Sequence, residues 1–405
     1  MSILEGIRVL DVASYLAAPV AGTMLADFGA EVVKVEAPGG DPYRRLNENP
    51  GMPEADVDFH WQVTNRNKRG IVLNLQTEAG RKVLYRLIER TDILITNFTR
   101  PAREKLGLTY EDVAPLNERL IYASLTAYGE RGPESAKTGF DSTAYWARSG
   151  LMHMVKPEPA AVPARSLPGQ GDHPTGVALF GAIALGLLHR ERTGKGTKVH
   201  SSLIANGVWS NAYFTQSILS GGNAPMRPRR DEMPNALTNH YQCSDQHWFI
   251  LSIVNQDREW PALVRALERP DLEHDPRFAS RAARGENVRA LNQLLDEIFA
   301  TRPWPEWRQR LDTHRITFGT VGTIEDIPDD EQMLASGAIK VTGDPGIGAP
   351  YVVDTPLWVD GTQKAPARAA PALGADNDAV LGEAGFSETE VAALKAQGAF
   401  GDDTR

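Results

Sequence analysis

Very little in this 405-residue chain can cross-link it or hold a metal. Cys243 is the single cysteine, so no intrachain disulfide and no cysteine metal cluster can form. The nine histidines are scattered without ligand spacing, and no His-Glu-x-x-His occurs, which speaks against a metal site. Glycine-rich phosphate cradles are missing as well. There is no G-x-x-x-x-G-K-[S/T], and the turn Ala13-Ser14-Tyr15-Leu16-Ala17-Ala18-Pro19 lacks the G-x-G-x-x-G that close approach to a pyrophosphate requires. Long apolar runs are absent too: the longest, 177–188, is well short of a membrane span. Residues 1–11 are too few and too charged for a signal peptide, so a soluble cytoplasmic protein is expected. Positive charge is in deficit, 43 Lys and Arg against 52 Asp and Glu. The resulting net charge of −9 disfavours nucleic acid or an anionic membrane as the main partner, while leaving room for a local basic pocket.

What is present is an alternation of short apolar runs and helical patterns over the first two hundred residues. Strands are expected at 7–12, 31–36, 71–75, 92–96, 120–125 and 198–203, with helices at 18–28, 78–89 and 174–192. Strands alternating with helices predict an α/β fold with a parallel sheet covered on both faces. Near Gly221 the composition shifts, and 220–234 carries two Gly, three Pro and three Arg. Beyond it a hairpin (240–244 with 248–254) and helices at 259–267, 288–300 and 305–311 predict a smaller α+β lobe. The stretch 345–371 holds five Pro and reads as loop, and a helix is expected near 388–397. The expected division is 1–220 for the first part of a large lobe and 221–235 for a linker. A small lobe follows at 236–335, and 336–405 forms a second linker with the closing part of the large lobe. Trp61, Trp304 and Trp307 are expected in core packing.

The chemistry concentrates at Gly171-Asp172-His173-Pro174-Thr175-Gly176, directly before the apolar run. A single carboxylate stands at the N-terminal edge of a buried helix, with no second acid in that run to share a metal or a proton. Such an acid serves either as a helix cap, accepting backbone N–H bonds, or as a nucleophile. A basic, polar group lies in the loops around the strands: Asn65 to Arg69 before the third, Asn97 to Pro101 after the fourth with Arg103 and Lys105 just beyond, and Lys137 before Asp141. Ligands of open parallel sheets bind outside the carboxyl ends of strands, so positive charge there points to a phosphorylated ligand. Each residue taken singly is equally a solvated surface charge.

Seven ordered segments carry a resemblance. They are Leu4 to Asp11, Leu25 to Glu36, Asn65 to Arg69, Asn97-Phe98 with Leu106-Gly107-Leu108, Tyr128 to Pro133, Gly171-Asp172, and Thr193-Gly194-Lys195-Gly196. Leu373-Gly374 and 386–398 extend it to the C-terminal region. Nearly end to end, the chain resembles the class III CoA-transferases, the superfamily of formyl-CoA transferase, carnitine CoA-transferase and α-methylacyl-CoA racemase. The resemblance implies a Rossmann-like large domain, a smaller α+β domain, and a ring-like chain that interlocks with a second copy in a homodimer. It implies acyl-CoA and a carboxylic acid as substrates and no permanently bound cofactor.

Asp172 falls where the family has its catalytic aspartate, which forms aspartyl-anhydride and aspartyl-CoA thioester intermediates. By position, Leu16 and Ala17 would line the pantetheine path. Asn74, Asn97, Phe98, Lys105 and Lys137 would approach the nucleotide or phosphates, and Arg44 or Arg45 would stand in for an arginine that other members carry where this chain has Ala37. Gly171, His173 and Asp141 would support the site, and glycine-flanked turns would supply the oxyanion donors. Phe140 occupies the position of the racemase branch's proton-transferring histidine. Phenylalanine cannot move a proton, so transfer is favoured over racemisation or isomerisation. His173 adjoins Asp172 and is a poor substitute for that histidine on the opposite face. A non-catalytic CoA-binding subunit is the other alternative, and the intact Asp172 argues against it. The bulky segment 140–154 reads either as core packing, the commoner use of such an aromatic stripe, or as a pocket that fits larger 2-hydroxy or aromatic acids better than oxalate.

Overall fold

A computed structural model describes residues 2–401. Six strands form one wholly parallel sheet: β1 (Arg8–Val12), β2 (Glu31–Glu36), β3 (Arg69–Val72), β4 (Ile93–Thr96), β5 (Ile121–Thr126) and β6 (Thr197–Ser202), in the order β3-β2-β1-β4-β5-β6. This order reverses direction between β1 and β4, and ligands of such sheets bind at that reversal, beyond the strand carboxyl ends.

Alternating side chains divide the sheet's two cores. Leu10, Val12, Val33, Val35, Ile71, Leu94 and Tyr122 pack on one face against α2 (Glu78–Ile88). Val9, Val32, Ile93, Ile95, Ile121, Ala123 and Leu125 pack on the other. That second face is covered by α1 (Ala17–Asp27) and α3 (Asp172–Thr193). All eleven residues of α1 are buried, consistent with a helix held between the sheet and a second helix. The chain later returns to this unit through α7 (Asn377–Glu383) and α8 (Glu388–Ala396), whose Val380, Leu381 and Leu394 join the first core. Asp376 and Asn377 accept the Gly70 and Val72 N–H groups at 2.7 and 2.8 Å, covering the sheet edge at β3.

The chain divides into two compact units. The first comprises Met1–Met152, Arg165–Gly222 and Gln332–Arg405, and the second His153–Ala164 and Asn223–Glu331. In the second unit β7 (His240–Gln242), β8 (Trp248–Leu251) and β9 (Phe318–Thr320) form an antiparallel sheet. Around it pack α4 (Gln256–Leu267), α5 (Val288–Phe299) and α6 (Trp304–Thr313). Trp304 stacks on Phe249 at 5.1 Å, and buried Trp307 donates from Nε1 to the Phe299 carbonyl at 2.8 Å. Trp61, in the first unit, is also buried and donates to the Pro371 carbonyl.

Three local expectations are corrected. β3 begins at Arg69, because its register with Val33 is set by backbone pairing and by Asp376 rather than by the apolar run. Strand β9 was not expected, and the loop-rich stretch holds β11 (Tyr351–Val353), paired with β10 (Ile339–Val341). Among the described residues, no helix is long and apolar enough to cross a membrane.

Candidate active site

Three segments of the first unit meet around the start of α3. The first is the turn 13–16 that follows β1. Asn97, just beyond β4, holds it from both sides: its Nδ2 donates to the Ser14 carbonyl at 2.7 Å, and the Ser14 N–H donates to its Oδ1 at 2.9 Å. The next N–H, of Tyr15, donates to Asp41 at 3.1 Å. Asp41 is paired at 3.0 Å with Lys34, a wholly buried lysine that also donates to the Ala13 carbonyl. Neighbouring Asp11 and Asp41 raise the Lys34 pKa against the opposing effect of burial.

The second segment is a π-helical turn at Asp141–Ala147. Buried Asp141 accepts three backbone N–H groups, from Ser142 at 2.6 Å, Gly169 at 2.9 Å and Gly171 at 3.2 Å. The third is the Gly169–Gly171 turn itself, which enters α3. A Cβ added to Gly171 would lie 2.6 Å from Tyr145 Cγ and 2.9 Å from Asp141 Cβ, so only glycine fits there. Gly176, one turn into α3, allows the helix to lie on α1. A Cβ there would stand 2.7 Å from the Ala17 carbonyl oxygen.

Asp172 is the first residue of α3, after Gly171 as the N-cap. The cap position itself is taken by Gly171, and Asp172, one residue on, accepts no helix N–H through its side chain among the described residues. Within the described residues, the Asp172 carboxylate has neither a hydrogen bond nor an ion pair. It is half-buried, and that burial, with the like charge of Asp141 as a second cause, pushes its pKa up to about 7. The positive end of the 22-residue helix favours the charged form of this carboxylate, while partial desolvation and the lack of a partner leave it a serviceable nucleophile. The Tyr43 phenol lies within its field, and burial, then the charges of Asp172 and Asp41, raise the Tyr43 pKa.

Other expected residues fall in several places. Leu16 is buried at this site: its Cδ1 comes within 3.5 Å of the position a Cβ on Gly169 would occupy, and His173 Cδ2 within 3.3 Å. Ala17 is buried as the first residue of α1. His173 keeps an exposed edge, and the protein beneath its ring lowers its pKa. Arg44 is engaged inside the fold. It forks onto Glu36 at 2.7 and 2.8 Å, donates to the Pro371 carbonyl and lies 3.8 Å over the Trp61 ring. Asn74 accepts the Gln76 N–H, and Phe98 packs at the margin of a core. Lys105 is exposed, as is Lys137, which pairs with Glu134 at 3.3 Å.

Two readings change. Much of the positive charge after the strands is neutralised internally. Arg66 is paired with Asp27, Lys68 with Asp11 and Arg103 with Glu130, all of them buried except Glu130, which is partly exposed. The Gly169 and Gly171 N–H groups are held by Asp141, so this turn is not the source of oxyanion donors. The grip of Asp141 was missed from the sequence because its partners lie 28 and 30 residues away.

A cleft of about 470 Å³ is lined by residues including Arg8, Glu31, Arg90 and Glu383. It sits at the amino end of β1, opposite the turn 13–16, where a parallel sheet does not present ligands. Among the described residues, no group of three or more His, Cys, Asp or Glu converges as a metal site.

Comparison with known proteins gives a consistent result. A model of CoA-transferase family III matches residues 4–377. Cinnamoyl-CoA:phenyllactate CoA-transferase of Clostridium sporogenes is 30% identical over 397 residues, which cover 97% of this chain and 96% of that protein. (R)-2-hydroxy-4-methylpentanoate CoA-transferase of Clostridioides difficile is 30% identical over 391 residues, covering 96% and 97%. The crystal structure of a CaiB/BaiF family protein from Brucella suis superposes with a TM-score of 0.83 at 29% identity, covering 95% of this chain and 99% of that one.

Proposed function

Because this chain belongs to CoA-transferase family III, we propose that it moves CoA from an acyl-CoA donor to a carboxylic acid acceptor with Asp172 as the covalent nucleophile. The observation that carries this reading is the Asp172 carboxylate, half-buried at a helix start and without a partner among the described residues.

The Asp172 carboxylate attacks the thioester carbonyl. The C–S bond breaks, CoA leaves as thiolate, and an aspartyl–acyl anhydride forms. The thiolate then attacks the aspartyl carbonyl, giving an aspartyl-CoA thioester and releasing the donor acid as carboxylate. The acceptor carboxylate attacks that thioester, regenerating a mixed anhydride and free thiolate. Finally the thiolate attacks the acceptor's acyl carbonyl and restores the Asp172 carboxylate. Charge and protons balance over the cycle, and each step replaces a difficult direct exchange. Asp141 acts here as a positioning residue: it holds Gly169 and Gly171, and after burial its charge is the second cause that raises the basicity of Asp172.

In the same reading Leu16 and Ala17 border the pantetheine arm, exposed Lys105 and Lys137 meet phosphates, and Asn97 shapes the turn that the arm crosses. Two copies interlock as a homodimer. The test is Asp172→Ala, assayed for CoA exchange and for CoA binding. Transfer is expected to fall by at least about a thousandfold while CoA affinity stays within a few-fold. Retained transfer would overturn the assignment.

A further inference from the structure

Two exposed aromatic rings beside Asp172 have no part in the covalent chemistry. Tyr15 has a φ of 61°, in the left-handed region, which strains a bulky L-residue. Its conformation is imposed from both sides, by the Asn97 grip on Ser14 and by the bond from its own N–H to Asp41. The strain presents a ring that is 38% exposed, edge-on to Phe140 at 5.6 Å and 79°. Phe140 is itself 55% exposed. An aromatic pair left open to solvent, one member on strained backbone, is costly unless something apolar covers it.

A closed circuit of residues ties this pair to the nucleophile. Tyr15 is followed by Leu16, and the side chains of Leu16 and His173 both lie within 3.5 Å of where a Cβ on Gly169 would stand. His173 follows Asp172, Asp172 follows Gly171, and Gly171 donates to Asp141. Asp141 follows Phe140, whose ring meets Tyr15. The ring pair and the nucleophile are therefore carried by neighbouring, mutually braced turns.

We propose that Tyr15 and Phe140 form an apolar clamp for the side group of the acid exchanged on Asp172, selecting aromatic acids over small ones. This rests on the CoA-transfer reading above and adds the substrate class to it. An edge-to-face pair offers both a ring face and a ring edge, the two surfaces on which a third aromatic ring packs best.

The test compares 3-phenylpropionyl-CoA with acetyl-CoA on the wild type, Phe140→Ala and Tyr15→Gly. Glycine adopts the left-handed conformation without strain, so Tyr15→Gly removes the ring and keeps the turn. Affinity is measured by calorimetry, and kcat/KM from exchange into a common acceptor. The wild type is expected to prefer the phenylpropionyl thioester, and each variant to lower that preference by about tenfold or more, in affinity and in kcat/KM alike. A wild type without preference, or variants that weaken both thioesters equally, would overturn the clamp. If the aromatic preference in binding is lost in the variants while no thioester turns over, the clamp stands and the covalent reading falls.

Discussion

At the scale of single residues, Asp172 is held in a state that destabilises the fold. Its pKa is raised to about 7 from the ordinary value of 3.8. Between these two values the folded chain binds more protons than the unfolded one, so stability falls as pH climbs through that window. Above about pH 7 the full cost of a desolvated carboxylate is present, and below about pH 4 it is absent. Asp172→Asn removes the titration while keeping the shape. Calorimetry is expected to show the variant melting above the wild type at pH 8, with the two converging toward pH 4. A variant melting at or below the wild type at pH 8 would contradict the burial argument. The position of Asp172 was legible in the sequence, as a lone acid between glycine and an apolar run. The choice between cap and nucleophile was not, because it turns on an absent side-chain hydrogen bond.

The elements explain why the carboxylate is where it is. Helix α3 begins at Asp172 because Asp141 fixes the preceding turn, and because Gly171 leaves room for Tyr145 and Asp141. Gly171→Ala would drive a methyl to 2.6 Å from the Tyr145 ring. Relieving that overlap is expected to cost roughly 1–3 kcal/mol of stability in urea titration. It should lower kcat more than KM, since the displaced turn carries the nucleophile. Full activity with unchanged stability would show that the turn has slack. Most strands and helices of the parallel sheet were legible because apolar runs mark both its faces, as in Val32-Val33 and Ile93-Leu94-Ile95. Strand β9 was not, since Phe318-Gly319-Thr320 is three residues with no alternation, placed by pairing with Phe249 to Leu251. The Asn97 clamp on Ser14 was equally hidden. A sequence shows an asparagine after a strand, but not that both amide atoms face an earlier turn.

For the molecule as a whole, an overall charge of −9 conceals a set of cations drawn into the first unit. Lys34, Arg66 and Lys68 are buried against Asp41, Asp27 and Asp11. Breaking such a pair would strand a charge in the interior, so these cations are better understood as scaffold than as phosphate ligands. This is why the basic residues around the strand ends overstated the ligand-facing charge. What remains open at the carboxyl end of the sheet is one unpartnered carboxylate, a fixed turn and two exposed rings. These features suit covalent exchange of an apolar acid on CoA.

The most direct measurement is chemical trapping. The protein is incubated with a panel of acyl-CoAs, treated with borohydride and mapped by mass spectrometry. The account predicts reduction of the thioester formed on Asp172, leaving homoserine at that position and at no other acid, and absent without acyl-CoA. CoA exchange proceeding with Asp172 unmodified, or with another carboxylate reduced, would contradict it.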